Sequence, residues 1–212
     1  MHLIINRFAI VALSFSLSAC TASMFHAAFT SYQDVPTWGK EGMPSLYKLE
    51  RWQFSGRMAV EQKKGSWTAN IDWQHHPTDD AIKLSGLFGQ GATMVRLKEN
   101  AISIDFGNGK VATSEQAQHY ISQQFGLVVP LQALRYWVLG LPDPAGEYKR
   151  FGEGFSQYDW VVEFERWRWE GVQDRWRWED DKQLPHKVTV LNRKAKLKLV
   201  IDQWNVDNAE AK

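Results

Sequence analysis

One cysteine, Cys20, stands in 212 residues, so the chain cannot staple itself with a disulfide and must hold its fold by packing. Net charge is almost absent: 25 Lys and Arg against 24 Asp and Glu leave +1. A neutral chain has no basic stripe with which to neutralise phosphates, so nucleic acid is not an expected partner. No apolar run reaches the roughly 20 residues of a transmembrane helix. Nucleotide-binding glycines are missing too: Gly107-Asn108-Gly109-Lys110 lacks both the upstream Gly and the following Ser or Thr of a P-loop. There is no Gly-x-Ser-x-Gly elbow. His75 and His76 are adjacent, point apart in extended chain, and have no spaced His or Cys beside them, so no metal is expected. Asp79-Asp80 and Glu179-Asp180-Asp181 read as solvated turns, and Arg135 as a surface arginine or the partner of a carboxylate. These absences argue against an enzyme and against any cofactor.

What is present begins with the context of Cys20. Arg7, the apolar stretch Phe8–Leu17 and the small residues Ser18 and Ala19 form the n-region, h-region and cleavage site of a secretory signal. Leu17-Ser18-Ala19-Cys20 resembles the lipobox of bacterial lipoproteins. The thiol is then expected to carry a covalent diacylglycerol after removal of residues 1–19. Thr21, in place of Asp, directs such a lipoprotein to the outer membrane, facing the periplasm. Cleavage removes Arg7 and takes the formal charge to zero. Residues 20–45, with Pro36 and Pro44 and no sustained period, read as a tether; residues 46–207 form one domain, and 208–212 a tail.

From Trp52 onward the period is two. Trp52, Phe54, Met58 and Val60 share a face, with Gly56 at a bulge; Trp67, Ala69, Ile71 and Trp73 follow, then Ile82 and Leu84, Val95 and Leu97, and Ile102, Ile104 and Phe106. Turn residues separate these short strands, as in an antiparallel meander with one buried face. Thr113-Ser114-Glu115-Gln116 fits a capping box opening a helix that ends at Gly126. A second helix opens at Pro130, carries Leu131, Leu134, Trp137 and Val138, and stops at Gly140 before Pro142. Strand period returns at Trp160, Val162 and Phe164, at Val188 and Val190, and at Leu197, Leu199 and Ile201. Strands, two helices and strands again make an antiparallel α+β domain.

Tryptophan is abundant, 11 in all. Arg166-Trp167-Arg168-Trp169-Glu170 recurs as Arg175-Trp176-Arg177-Trp178-Glu179. Two readings stand: a hairpin with cross-strand aromatic pairs, or indoles at a membrane interface or cavity mouth.

The stretch Val129-Pro130-Leu131-Gln132-Ala133-Leu134-Arg135-Tyr136-Trp137-Val138-Leu139-Gly140-Leu141-Pro142 resembles the outer-membrane lipoprotein receptor family LolB. Gly56-Arg57-Met58-Ala59-Val60, Trp73 with Leu84 through Gly89, and Leu184-Pro185 before a strand ending at Trp204 follow in the family's order. The resemblance implies a mainly antiparallel, unclosed β-barrel with helices covering an apolar cavity. It implies a monomer that accepts lipoproteins from the soluble carrier LolA and inserts them into the inner leaflet of the outer membrane. Its protruding apolar loop maps onto Leu87-Phe88-Gly89, with Leu in place of Pro and Phe in place of Leu; the residues read alone favour a buried core Phe88 before a Gly-rich turn. Trp52, Trp73, Trp137, Trp160 and Trp204 are the candidate cavity aromatics, for which plain core packing is the competing reading. An assembly scaffold and a carbohydrate-binding module with exposed Trp platforms are the alternative functions.

Overall fold

The computed structural model describes residues 43–63, 65–86, 91–99, 101–125, 129–170 and 182–207, all within the unit Val35–Lys212. Cys20, the loop Leu87-Phe88-Gly89, Gly126 and the second Arg-Trp copy lie outside the described residues. A short α1 (Met43–Leu46) leads into β1 (Arg51–Gln62) and then β2 (Gly65–His75), β3 (Asp79–Ser85), β4 (Thr93–Lys98), β5 (Ala101–Asp105) and β6 (Val111–Thr113). Helices α2 (Glu115–Phe125) and α3 (Leu131–Trp137) follow, then β7 (Lys149–Phe151), β8 (Gly154–Gln157), β9 (Trp160–Glu170), β10 (Lys182–Leu191) and β11 (Ala195–Asp207).

All eleven strands form one antiparallel sheet in the order β6-β5-β4-β3-β2-β1-β11-β10-β9-β8-β7. Two meanders are thus joined where the first strand pairs with the last. The sheet curls but does not close, and its edges β6 and β7 are the strands that the helical connection links. The period-two pattern explains the interior. Register places Trp204, Phe54, Trp73, Ile82, Val95, Ile104 and Ala112 side by side across seven strands, and every one of them is buried. Because paired residues project to the same side, this row is one continuous inward ridge.

Gly56 does sit at a bulge. The register shifts between Ser55 and Gly56, leaving Asp202 of β11 as the extra residue, and a Cβ on Gly56 would stand 2.3 Å from the Val200 carbonyl oxygen. The extruded Asp202 takes the Arg57 guanidinium, 2.9 Å away. The capping box at Thr113 does not form: Thr113 pairs with Ser103 as part of β6. Ser114 turns the chain with φ of 49°, and its carbonyl accepts the Gln118 N–H that opens α2. Sheet pairing, which satisfies the backbone on the spot, outcompetes a helical turn there. At the end of α3, Gly140 has φ of 84°; its N–H donates to Trp137 and that of Leu141 to Tyr136, a Schellman closure.

The alternation of β9 breaks at Arg166, whose φ is 59°, although the register is unshifted, Glu165 pairing with Lys187 and Trp167 with Pro185. Beyond this kink Trp167 lies on the inner side, where its ring lies 5.5 Å from Phe164 and covers Gly140. The first Arg-Trp copy is therefore partnered by Lys182–Pro185 of β10.

Strand directions sort the turns into two groups. The connections β1–β2, β3–β4 and β10–β11 lie at one end, called the mouth. The β2–β3 and β4–β5 turns lie at the other, the base, where the chain also enters through α1 and β1.

Candidate functional site

Between the inward ridge and the two helices lies a cavity of about 40 Å³ lined by apolar side chains alone. Met58, Ile71, Trp73, Ile82, Leu84 and Val95 supply four adjacent strands of its wall, and Leu197 and Leu199 extend it across β11. Ile121 of α2 and Val129, Leu131 and Leu134 at α3 form the other side. The helices fit because their spacing sends Ala117 and Ile121 from α2, and Ala133, Leu134 and Trp137 from α3, into the core. A second hollow of about 170 Å³ adjoins it at the mouth, bounded by Trp67, Gly86, Gly91, Thr93 and Tyr120.

The base is filled instead of hollow. Trp52, Phe54, Trp73 and Trp204 pack ring against ring, Trp52 lying 5.4 Å from Trp73 and Phe54 5.1 Å from Trp204. Buried indoles need an acceptor for the N–H. Trp73 donates to Asp80 Oδ1 at 3.0 Å and Trp204 to the Pro185 carbonyl at 3.1 Å. Trp137 stands apart, donating to Gln157 Oε1 at 2.8 Å. Trp160 is buried at the start of β9. Of the five candidate tryptophans, Trp73 alone lines the inner cavity. All five are at most 5 % exposed and so form no exposed aromatic platform.

The expectation of a solvated Asp79-Asp80 turn fails at Asp80, which is fully buried. His75 Nδ1 lies 2.7 Å from its Oδ1 and the Arg135 guanidinium 2.9 Å from its Oδ2. Arg135 is thus the partner of a carboxylate and not a plain surface residue. The ion pair is close but bent, since among the described residues neither Asp80 Oδ2 nor Arg135 Nε makes a well-aligned hydrogen bond. Asp80 went unnoticed because its neighbours in sequence are a turn. Its inward position follows from register: it pairs with Leu97 on one side and His75 on the other. The aliphatic cavity wall was visible as strand faces, but nothing in a run of Ile, Leu and Val separates a filled core from a hollow one.

The helical connection is fastened by its own network. Gln157 accepts from Trp137 and the Asp143 N–H, and donates to the Asp143 and Gly146 carbonyls. Tyr47 donates to the Pro142 carbonyl at 2.9 Å. Burial first, then Tyr148, Asp143 and Tyr136, push the Tyr47 phenol up to about 12. Burial and the hydrogen bond to Asp143 raise that of Tyr158.

Residues 50–204 match the family model described as outer membrane lipoprotein LolB. An outer-membrane lipoprotein LolB from Chromohalobacter salexigens is 29% identical over 167 residues, covering 76% of this chain and 73% of the relative. One from Nitrosococcus oceani is 29% identical over 190 residues, covering 80% and 83%. One from a Marinomonas species is 26% identical over 183 residues, covering 86% and 94%. Among solved structures, a DUF1329 family protein from Desulfovibrio piger superposes with a TM-score of 0.48 at 8% identity over 80% of this chain and 90% of that one, too slight a likeness to bear on function. The match over residues 50–204, with relatives aligned along most of their own length, makes this chain a member of the LolB family of outer-membrane lipoproteins.

Proposed function

We propose that the chain is a lipoprotein receptor that takes lipoproteins from the soluble periplasmic carrier LolA and inserts them into the inner leaflet of the outer membrane. The observation that carries this reading is the wholly apolar cavity between β1–β4, β11 and the helices. A lipoprotein's acyl chains are kept out of water at about 0.8 kcal/mol per methylene, about 10 kcal/mol for one long chain. Transfer from one such cavity to another needs no nucleotide, only tighter binding at the receiver. The cavity of about 40 Å³ has room for no more than a few waters, far less than a long acyl chain, so it must widen to hold cargo.

In this reading Cys20 carries the lipid that tethers the domain, and Phe88, flanked by Leu87 and Gly89, enters the bilayer during release. The loop leaves the sheet at the mouth, whereas the tether arrives at the base. Twelve residues of β1 span about 40 Å at 3.3 Å each. Residues 21–42, fully extended, reach about 70 Å. The mouth can therefore meet the membrane that holds the anchor. Trp73 is the cavity aromatic; Trp52 and Trp204 back it, and Trp137 and Trp160 hold the wall.

The test is transfer. LolA loaded with a lipoprotein is mixed with the mature chain carrying Cys20→Ala, and the cargo is followed by pull-down. The unlipidated receptor is expected to take the cargo; a folded chain that takes none would sink the reading. Phe88→Glu should leave acceptance intact and impair delivery to liposomes.

A further inference from the structure

The inner cavity and the mouth hollow share three wall residues, Leu84, Val95 and Ile121. These side chains are a partition and not a floor: with Ile121 displaced, the two spaces join. The mouth hollow opens between Gly86 and Gly91, just beyond the ends of β3 and β4, and Tyr120 on α2, and it is the larger of the two. An extended hydrocarbon chain could lie across it with its end against the partition.

The two helices that roof these spaces are held differently. Arg135 of α3 pairs with the buried Asp80, Gln132 donates to the Glu99 carbonyl, and Trp137 donates to Gln157. Lifting α3 would strand a buried carboxylate and break an indole hydrogen bond, which is costly because neither finds a substitute in an acyl chain. The side-chain hydrogen bonds of α2 stay within α2: Ser122 to the His119 carbonyl and Gln123 to the His119 ring. Among the described residues no α2 side chain makes a polar bond to the sheet. Its hold is apolar, through Ala117, Ile121 and the edge-on contact of Tyr120 with Phe106 at 4.7 Å. Methylenes can replace such contacts in kind.

We propose that the mouth hollow is the loading site for a fatty acyl chain, and that α2, not α3, is the element that yields to admit it. The chain would slide between α2 and β2–β4, displace Ile121, and join the hollow to the inner cavity while α3 stays clasped to Asp80. This rests on the receptor reading above and adds the route and the moving part.

A chain whose single cysteine is already replaced allows a direct test. In the mature Cys20→Ala background, Phe106→Cys with Tyr120→Cys ties α2 to the sheet through a short reducible bis-thiosulfonate linker. Tyr47→Cys with Tyr136→Cys, whose parent rings lie 6.1 Å apart, ties α3 to the segment after α1. Loading is followed by stopped-flow fluorescence of palmitate bearing an environment-sensitive dye. The α2 link is expected to slow loading about tenfold or more, reversibly on reduction, and the α3 link to change it less than about twofold. Slowing by the α3 link, or none by the α2 link, overturns the inference. If the Phe106–Tyr120 pair fails to fold when reduced, Ile121→Trp decides: its indole fills the partition, and loading as fast as the parent's would reject the route. No binding of the probe by the unlinked chain would reject the receptor reading itself.

Discussion

The base and the mouth of the barrel are made of different materials. At the base, four aromatic rings interlock, and a buried carboxylate gathers a histidine, an indole and a guanidinium. Toward the mouth the same inward strand positions carry Met, Leu, Ile and Val, and the space between them is not filled. Large flat rings with directional N–H groups fit one arrangement well and others badly. Aliphatic side chains tolerate several arrangements with little difference in energy. The contrast suits a container that must keep its shape at one end and change it at the other.

The most forceful way to break this comparison is to empty the base. Trp73→Ala removes a fully buried ring and one of the donors to Asp80, and should lower unfolding free energy by about 3–5 kcal/mol in a urea titration. Leu84→Ala, at the half-buried partition, should lose about 2 kcal/mol or less, because the site already borders open space. Equal losses would mean that the two ends are packed alike.

The clasp on α3 comes next. Arg135→Met leaves the Asp80 carboxylate buried beside His75 and Trp73 only, and should lose about 3 kcal/mol. Adding Asp80→Asn removes the orphaned charge, so the double variant should recover a good part of that loss. A double variant no better than the single would show that Arg135 acts by packing.

How much of this was legible beforehand divides along the same line. The meander, both helices and the bulge at Gly56 follow from alternation, from Pro130 and Gly140, and from a glycine amid inward residues, all of them local signals. The two short edge-side strands β7 and β8 were not foreseen: Lys149–Phe151 is exposed throughout and shows no period. Thr113 misled because a capping box and the last residue of a strand ask for the same residue types. Among the site residues, Trp73 was visible as an inward indole in a family motif. Asp80 was not, since burial of a carboxylate depends on an arginine 55 positions away. The family resemblance supplied what periodicity cannot, namely that the interior encloses a cavity.

A smaller effect should come from filling the space. Val95 borders both the cavity and the mouth hollow, so Val95→Ile places one methyl where there is room. Stability should change by less than about 1 kcal/mol, in contrast to the about 1–3 kcal/mol cost of overpacking a filled core. Ala117→Val, at a fully buried position on the face of α2 that meets the sheet, is the control and should cost more. If Val95→Ile is as costly, the cavity is not available even to a methyl.

The smallest effect concerns the seam where the tether meets the base, and pH reveals it. The Tyr47 phenol titrates near 12, above its ordinary value of 10.0. Between those values the unfolded chain gives up this proton and the folded chain keeps it. The contribution of the neutral phenol is therefore complete below about pH 10 and is lost as pH rises toward 12. Tyr47→Phe removes both the titration and the hydrogen bond to the Pro142 carbonyl, which contributes about 0.5 kcal/mol at such a half-exposed site. Denaturation at pH 8 should show the parent ahead by about that amount. Near pH 11 the gap should have narrowed, and phenolate absorbance should show one late-titrating tyrosine fewer. Tyr158, raised in the same direction, stays in both chains and cancels in the difference. A gap that does not change with pH would mean that Tyr47 supports the base through ring packing on Tyr136 and not through its hydroxyl.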